Sequence, residues 1–95
     1  DKEKVTEILK QIYDPEVQVD IWTMGLIYKV DVNQNTGDIN ILMTLTSPMC
    51  PYGPMLLEEI KFRIKEEAQA NEVNIEVTFD PPWKPSEELR RLLGI

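Results

Sequence analysis

The chain contains no histidine and a single cysteine, Cys50, among its 95 residues. The first absence removes the usual general base near neutral pH, the Ser-His and Cys-His dyads, and the commonest metal ligand, so most hydrolase mechanisms fall away. The second excludes an intrachain disulfide and a CxxC pair, and leaves one chain short of the four ligands that a structural zinc or iron–sulfur site takes. Any such site needs ligands from outside. Cations are scarce as well: ten Lys plus Arg stand against 17 Asp plus Glu, a formal net charge of −7. Such a chain repels a phosphate backbone, so nucleic acid is not an expected partner. No apolar run approaches the roughly 18 residues of a membrane span, and the N-terminal stretch is charged and amphipathic, unlike a signal peptide. The expectation is a soluble protein of the cytoplasm with no membrane partner.

Enough remains to build a core. Hydrophobic residues make up 42% of the chain, regularly spaced, and the length suits one domain spanning residues 1–95. Val5, Ile8, Leu9 and Ile12 form a helical stripe, and Asp14-Pro15 ends it, because the residue before proline avoids the α region; the helix is expected over about residues 2–13. Residues 16–25 carry no decisive signal. The period then becomes two. Leu26, Tyr28, Val30 and Val32 alternate with Ile27, Lys29, Asp31 and Asn33, and after a turn-rich stretch Ile39, Ile41, Met43 and Leu45 resume the alternation, which predicts an antiparallel hairpin.

Three prolines then interrupt strand pairing in Ser47-Pro48-Met49-Cys50-Pro51-Tyr52-Gly53-Pro54, and Pro51 or Pro54 opens a second helix running to about Asn71. Its stripe is Leu57, Ile60, Ile64 and Ala68, with Leu56 alongside. Val73, Ile75, Val77 and Phe79 predict a third strand, stopped by Pro81-Pro82. Ser86 caps a last short helix, with Glu87 and Glu88 in its first turn and Arg90 and Arg91 further on. Three strands that each bury one face call for helices on that face. The expected fold is α+β, a two-layer sandwich with a three-stranded sheet in the order α-β-β-α-β-α.

Cys50 is the strongest nucleophile and the softest ligand present. At or just before a helix start, free N–H groups and the dipole favour a thiolate; a lone cysteine is more often a small buried hydrophobe, and the proline-clamped loop brings the two readings level. In Asp80-Pro81-Pro82-Trp83-Lys84-Pro85 the tryptophan is either a docking anchor or a lid folded back on the core, and Trp22 poses the same choice. Asp14, Glu16 and Asp20 in one loop read more simply as a solvated turn than as a cation site. Short α+β domains of this order can bind single strands, but there is no GxxG loop and the charge is wrong. A thiol redox enzyme would want a resolving cysteine.

Read together, Asp14-Pro15-Glu16, Gly25-Leu26-Ile27-Tyr28, Met43-Thr44-Leu45-Thr46-Ser47-Pro48-Met49-Cys50-Pro51 and Asp80-Pro81-Pro82-Trp83 resemble the PaaD/SufT-like metal–sulfur cluster biosynthesis family. The resemblance spans nearly the whole chain. It implies an iron–sulfur cluster assembly or maturation factor, not an enzyme, acting with assembly machinery and recipient apo-proteins. Cys50 matches the family's cysteine, and Asp14, Glu16, Thr46 and Ser47 match motif positions grouped near it, with Pro48 and Pro51 completing the binding loop. Pro81, Pro82 and Trp83 correspond to a partner-contact surface. A transient iron–sulfur cluster would be ligated by Cys50 together with a second chain, as in a homodimer, or with a partner's thiolate, since one thiolate is too few for a stable site. An adaptor that delivers clusters without binding one is the alternative. The chain departs from the family's pattern at Thr23-Met24, where members often carry an acid or amide followed by leucine, and at Lys84, where threonine is common.

Overall fold

A computed structural model describes residues 2–14, 18–46 and 51–94. Six elements follow one another: α1 (Lys2–Leu9), β1 (Ile27–Asn33), β2 (Asp38–Met43), α2 (Gly53–Glu67), β3 (Glu72–Val77) and α3 (Glu87–Leu93). The order is the expected one. The strands form one sheet, β1-β2-β3, in which β1 and β2 are antiparallel and β2 and β3 parallel. Parallel neighbours need a crossover, and α2 supplies it.

Alternation decides the faces. Val30, Ile39, Ile41, Met43 and Val73 are buried on one side, while Lys29, Asp31, Asn40, Asn74 and Glu76 are exposed. The buried side chains join Val5, Ile8 and Leu9 of α1, Leu56, Ile60 and Ile64 of α2, and Leu89 of α3 in a single core. Full burial of one such aliphatic side chain contributes about 1.5–3 kcal/mol. The sheet's other face remains wet.

The β1–β2 turn follows from its residues. Asn33 Oδ1 accepts from the N–H groups of Asn35 and Thr36 at 3.0 and 3.3 Å, and Gly37 adopts φ +78°, which a Cβ would strain. A Cβ there would also approach Asn71 Cβ at 3.2 Å, where Asn71 N–H donates to Gly37 O and ties the end of the crossover to the hairpin.

Four expectations need correction. Helix α1 stops at Leu9, because Ile12 to Asp14 pair with Val19 to Ile21: Ile21 N–H donates to Ile12 O, Asp14 N–H to Val19 O, and Tyr13 bridges Asp20. In β1 the alternation slips at Tyr28, where an irregularity puts Ile27 opposite Met43 and packs it on the core. Helix α2 ends at Glu67, before a left-handed Gln69. Strand β3 ends at Val77, and Phe79 lies beyond it, exposed.

Arg63 ties α2 to the segment just after α1. Its guanidinium donates to Glu67 Oε2 at 2.7 Å and to Gln11 Oε1 at 2.7 Å. The hydrogen bond from Arg63 holds the Glu67 carboxyl below its ordinary value, and the same bond raises Arg63.

Candidate functional site

The site grows from the reversal at residues 12–21. Those backbone pairs carry Asp14 into the protein, where only 1% of it stays exposed. A buried carboxylate demands strong donors. The Tyr52 hydroxyl supplies one, lying 2.9 Å from Asp14 Oδ2 and 3.1 Å from Oδ1. Tyr52 is also the N-cap of α2 and makes no side-chain cap of its own. One contact therefore fastens the Asp14 loop to the start of the crossover helix.

Sequence reasoning gave Tyr52 no role. Its partner stands 38 residues away, and neither periodicity nor motif spacing links the two. The available signal was a tyrosine inside a proline-bounded loop two residues past the only thiol.

Asp14 and Pro51 thus belong to one region, Asp14 buried and Pro51 exposed beside Tyr52. Thr46 is half-buried just past β2, after Thr44, whose N–H donates to Leu26 O at 2.8 Å. Glu16, Ser47, Pro48 and Cys50 lie outside the described residues. Cys50 precedes the first residue of α2 by three positions. Gly53 begins that helix, Pro54 follows it, and no acid occupies the first turn.

Of Asp14, Glu16 and Asp20, the two described residues have separate tasks. Asp20 Oδ2 accepts from Thr23 N–H at 2.9 Å and caps the turn that follows, while Asp14 engages Tyr52. Among the described residues no group of three or more His, Cys, Asp or Glu side chains is arranged to hold a metal ion.

The Asp80–Pro85 strap is a second cluster. Tyr28 Oη donates to Pro81 O at 2.8 Å, and Trp83 Nε1 donates to Met24 O at 2.7 Å while the ring packs on the core. Trp83 is half-buried and works as a lid over the core edge; Pro81 and Pro82 stay exposed. Trp22 lies more open, with Lys10 Nζ 6.0 Å from its ring centroid, at the outer reach of a cation–π contact.

Known proteins resemble this chain in sequence and fold. The chain is 36% identical to a protein of Bacillus subtilis named Fe-S protein maturation auxiliary factor YitW, over 99% of this chain and 94% of the relative. It is 36% identical to the Fe-S protein maturation auxiliary factor SufT of Staphylococcus aureus, over 76% of this chain and 81% of that one. Among solved structures, a conserved hypothetical protein from Thermotoga maritima superposes with a TM-score of 0.83 at 40% identity, covering 100% of this chain and 95% of that one. The family profile described as iron–sulfur cluster assembly protein matches residues 2–81, a span that includes Asp14, Cys50 and Tyr52. The SufT-like resemblance is borne out: this chain belongs to the iron–sulfur cluster assembly protein family.

Proposed function

We propose that the chain is a maturation factor for iron–sulfur proteins that holds a cluster in transit through Cys50 and passes it to recipient apo-proteins. The observation that carries the reading is the position of the only thiol. It stands two residues before the tyrosine that closes on buried Asp14, within the span matched by the assembly family. The names of the Bacillus and Staphylococcus relatives support the maturation role.

Ligand arithmetic sets the manner of binding. A single thiolate leaves the remaining iron positions to a second copy or to a partner's cysteine, and incomplete ligation favours release over retention. The chain's work is then binding and hand-over, with no bond of a substrate made or broken by its own side chains, in a compartment reducing enough to keep Cys50 a thiol.

Anaerobic incubation with ferrous iron and sulfide tests this, read by visible absorption and native mass spectrometry. Wild type takes up a cluster in an assembly of two thiolate donors, and Cys50→Ser takes up none while its far-ultraviolet circular dichroism is unchanged. Equal uptake by the two proteins overturns the reading. No uptake by either, with both folded, favours the adaptor that delivers clusters without binding them.

A further inference from the structure

Helix α2 has a second apolar line that the fold does not use. Its core stripe is Leu56, Ile60 and Ile64. On the opposite side, Met55 and Phe62 stand seven residues apart, two turns along one face, and are 76% and 67% exposed. Tyr13, 57% exposed, extends the line beyond the helix. It shares with Tyr52, Met55, Leu56 and Glu59 a shallow cavity of about 150 Å³. Large apolar side chains gathered on a solvated helix face contribute little to the core and mark a surface made for contact.

The charges around this line select the occupant. Glu58, Glu59 and Glu66 are exposed, each three or four residues from Met55 or Phe62 and so beside it on the helix surface. The nearby Arg63 is engaged by Glu67 and Gln11, which leaves Lys65 as the cation flanking Phe62. The rim is net acidic on a chain that is itself −7. A second copy seated here would bring two acidic rims together. A segment with apolar anchors and flanking Lys or Arg brings complementary charge instead.

We infer that the Tyr13–Met55–Phe62 face is the docking surface for a basic amphipathic helix of a partner protein. The cavity beside Tyr52 receives one of its apolar side chains, and Glu58, Glu59 and Glu66 pair with its cations. This holds whether or not Cys50 carries a cluster.

The test is titration of the isotope-labelled full chain with two synthetic helical peptides that share one leucine face, one flanked by lysine and arginine, the other by glutamate. The basic peptide alone shifts backbone amides of Tyr13, Tyr52, Glu59 and Phe62. Phe62→Ser weakens it by about tenfold or more, as loss of a central aromatic anchor does, and Glu59→Lys with Glu66→Lys inverts the preference between the peptides. Met55→Ser gives an independent variant at an exposed position. Equal binding of both peptides, binding of neither, shifts centred elsewhere, or indifference to Phe62→Ser overturns the inference. So does a concentration-dependent dimer in sedimentation that Phe62→Ser abolishes, since the occupant is then a second copy.

Discussion

Removing one oxygen atom measures the contact on which the site is built. In Tyr52→Phe the ring keeps its place and only the hydroxyl is lost. That hydroxyl has one proton, shared by Asp14 Oδ2 at 2.9 Å and Oδ1 at 3.1 Å, and its acceptor is a carboxylate 1% exposed. A hydrogen bond to a charged group contributes about 1.5–3 kcal/mol. Because the hydroxyl is only part of what Asp14 touches, the loss is placed in the lower half of that range, at about 2 kcal/mol. For a domain of this size each kcal/mol lowers Tm by about 4–8 °C, so Tyr52→Phe melts roughly 8–16 °C below wild type. The assay is urea unfolding followed by circular dichroism, carried through a double-mutant cycle with Asp14→Ala. Asp14→Ala destabilises by itself, and adding Tyr52→Phe then costs little, giving a coupling energy of about 1–2 kcal/mol. A Tyr52→Phe protein within about 0.5 kcal/mol of wild type, or strictly additive losses, refutes the reasoning.

Three further outcomes follow from other contacts. Ser86 accepts from Leu89 N–H at 3.1 Å, so Ser86→Ala costs about 1 kcal/mol of stability in the same unfolding assay. Trp83→Phe deletes the bond to Met24 O and part of the lid; it lowers stability by about 1–2 kcal/mol, and amide exchange accelerates across residues 78–86 before it changes in β2. The Glu67 carboxyl sits below its ordinary value because Arg63 bonds its charged form. Its contribution is therefore present at neutral pH, above the ordinary carboxylate range, and drains away as acid protonates it. Glu67→Gln loses that contribution at neutral pH and flattens the acid limb of a stability-against-pH curve, with the slope above pH ~7 unchanged.

Local signals in the sequence carried the elements whose causes are local. The alternation of Ile39, Ile41 and Met43 named the inner face of β2, and Ser86 with Glu87 and Glu88 named the start of α3, because periodicity and capping are short-range. Helix α1 ended early because Ile12 to Asp14 found backbone partners in residues 19–21, a pairing that overrides a stripe continuing through Ile12. The slip at Tyr28 left no trace in the alternation, since Leu26, Ile27 and Tyr28 are all large and suit either face. The family was legible in the chain, and Asp14 was among the residues that carry the resemblance. Tyr52 was not, because a hydrogen bond across 38 residues has no period. Trp83 was read with two possible roles; its indole bonds Met24 O and its ring packs on the core as a lid does, while Pro81 and Pro82 remain the exposed part of that segment.

The most direct trial of the maturation role is transfer itself. Wild-type protein reconstituted with iron and sulfide under strict anaerobiosis is mixed with an apo-enzyme whose activity requires a [4Fe–4S] cluster, and activity is followed in the presence of an iron chelator that captures free iron. The account predicts that wild type activates the recipient despite the chelator, and that Cys50→Ser gives no more activation than iron and sulfide alone. Equal activation by the two proteins contradicts it.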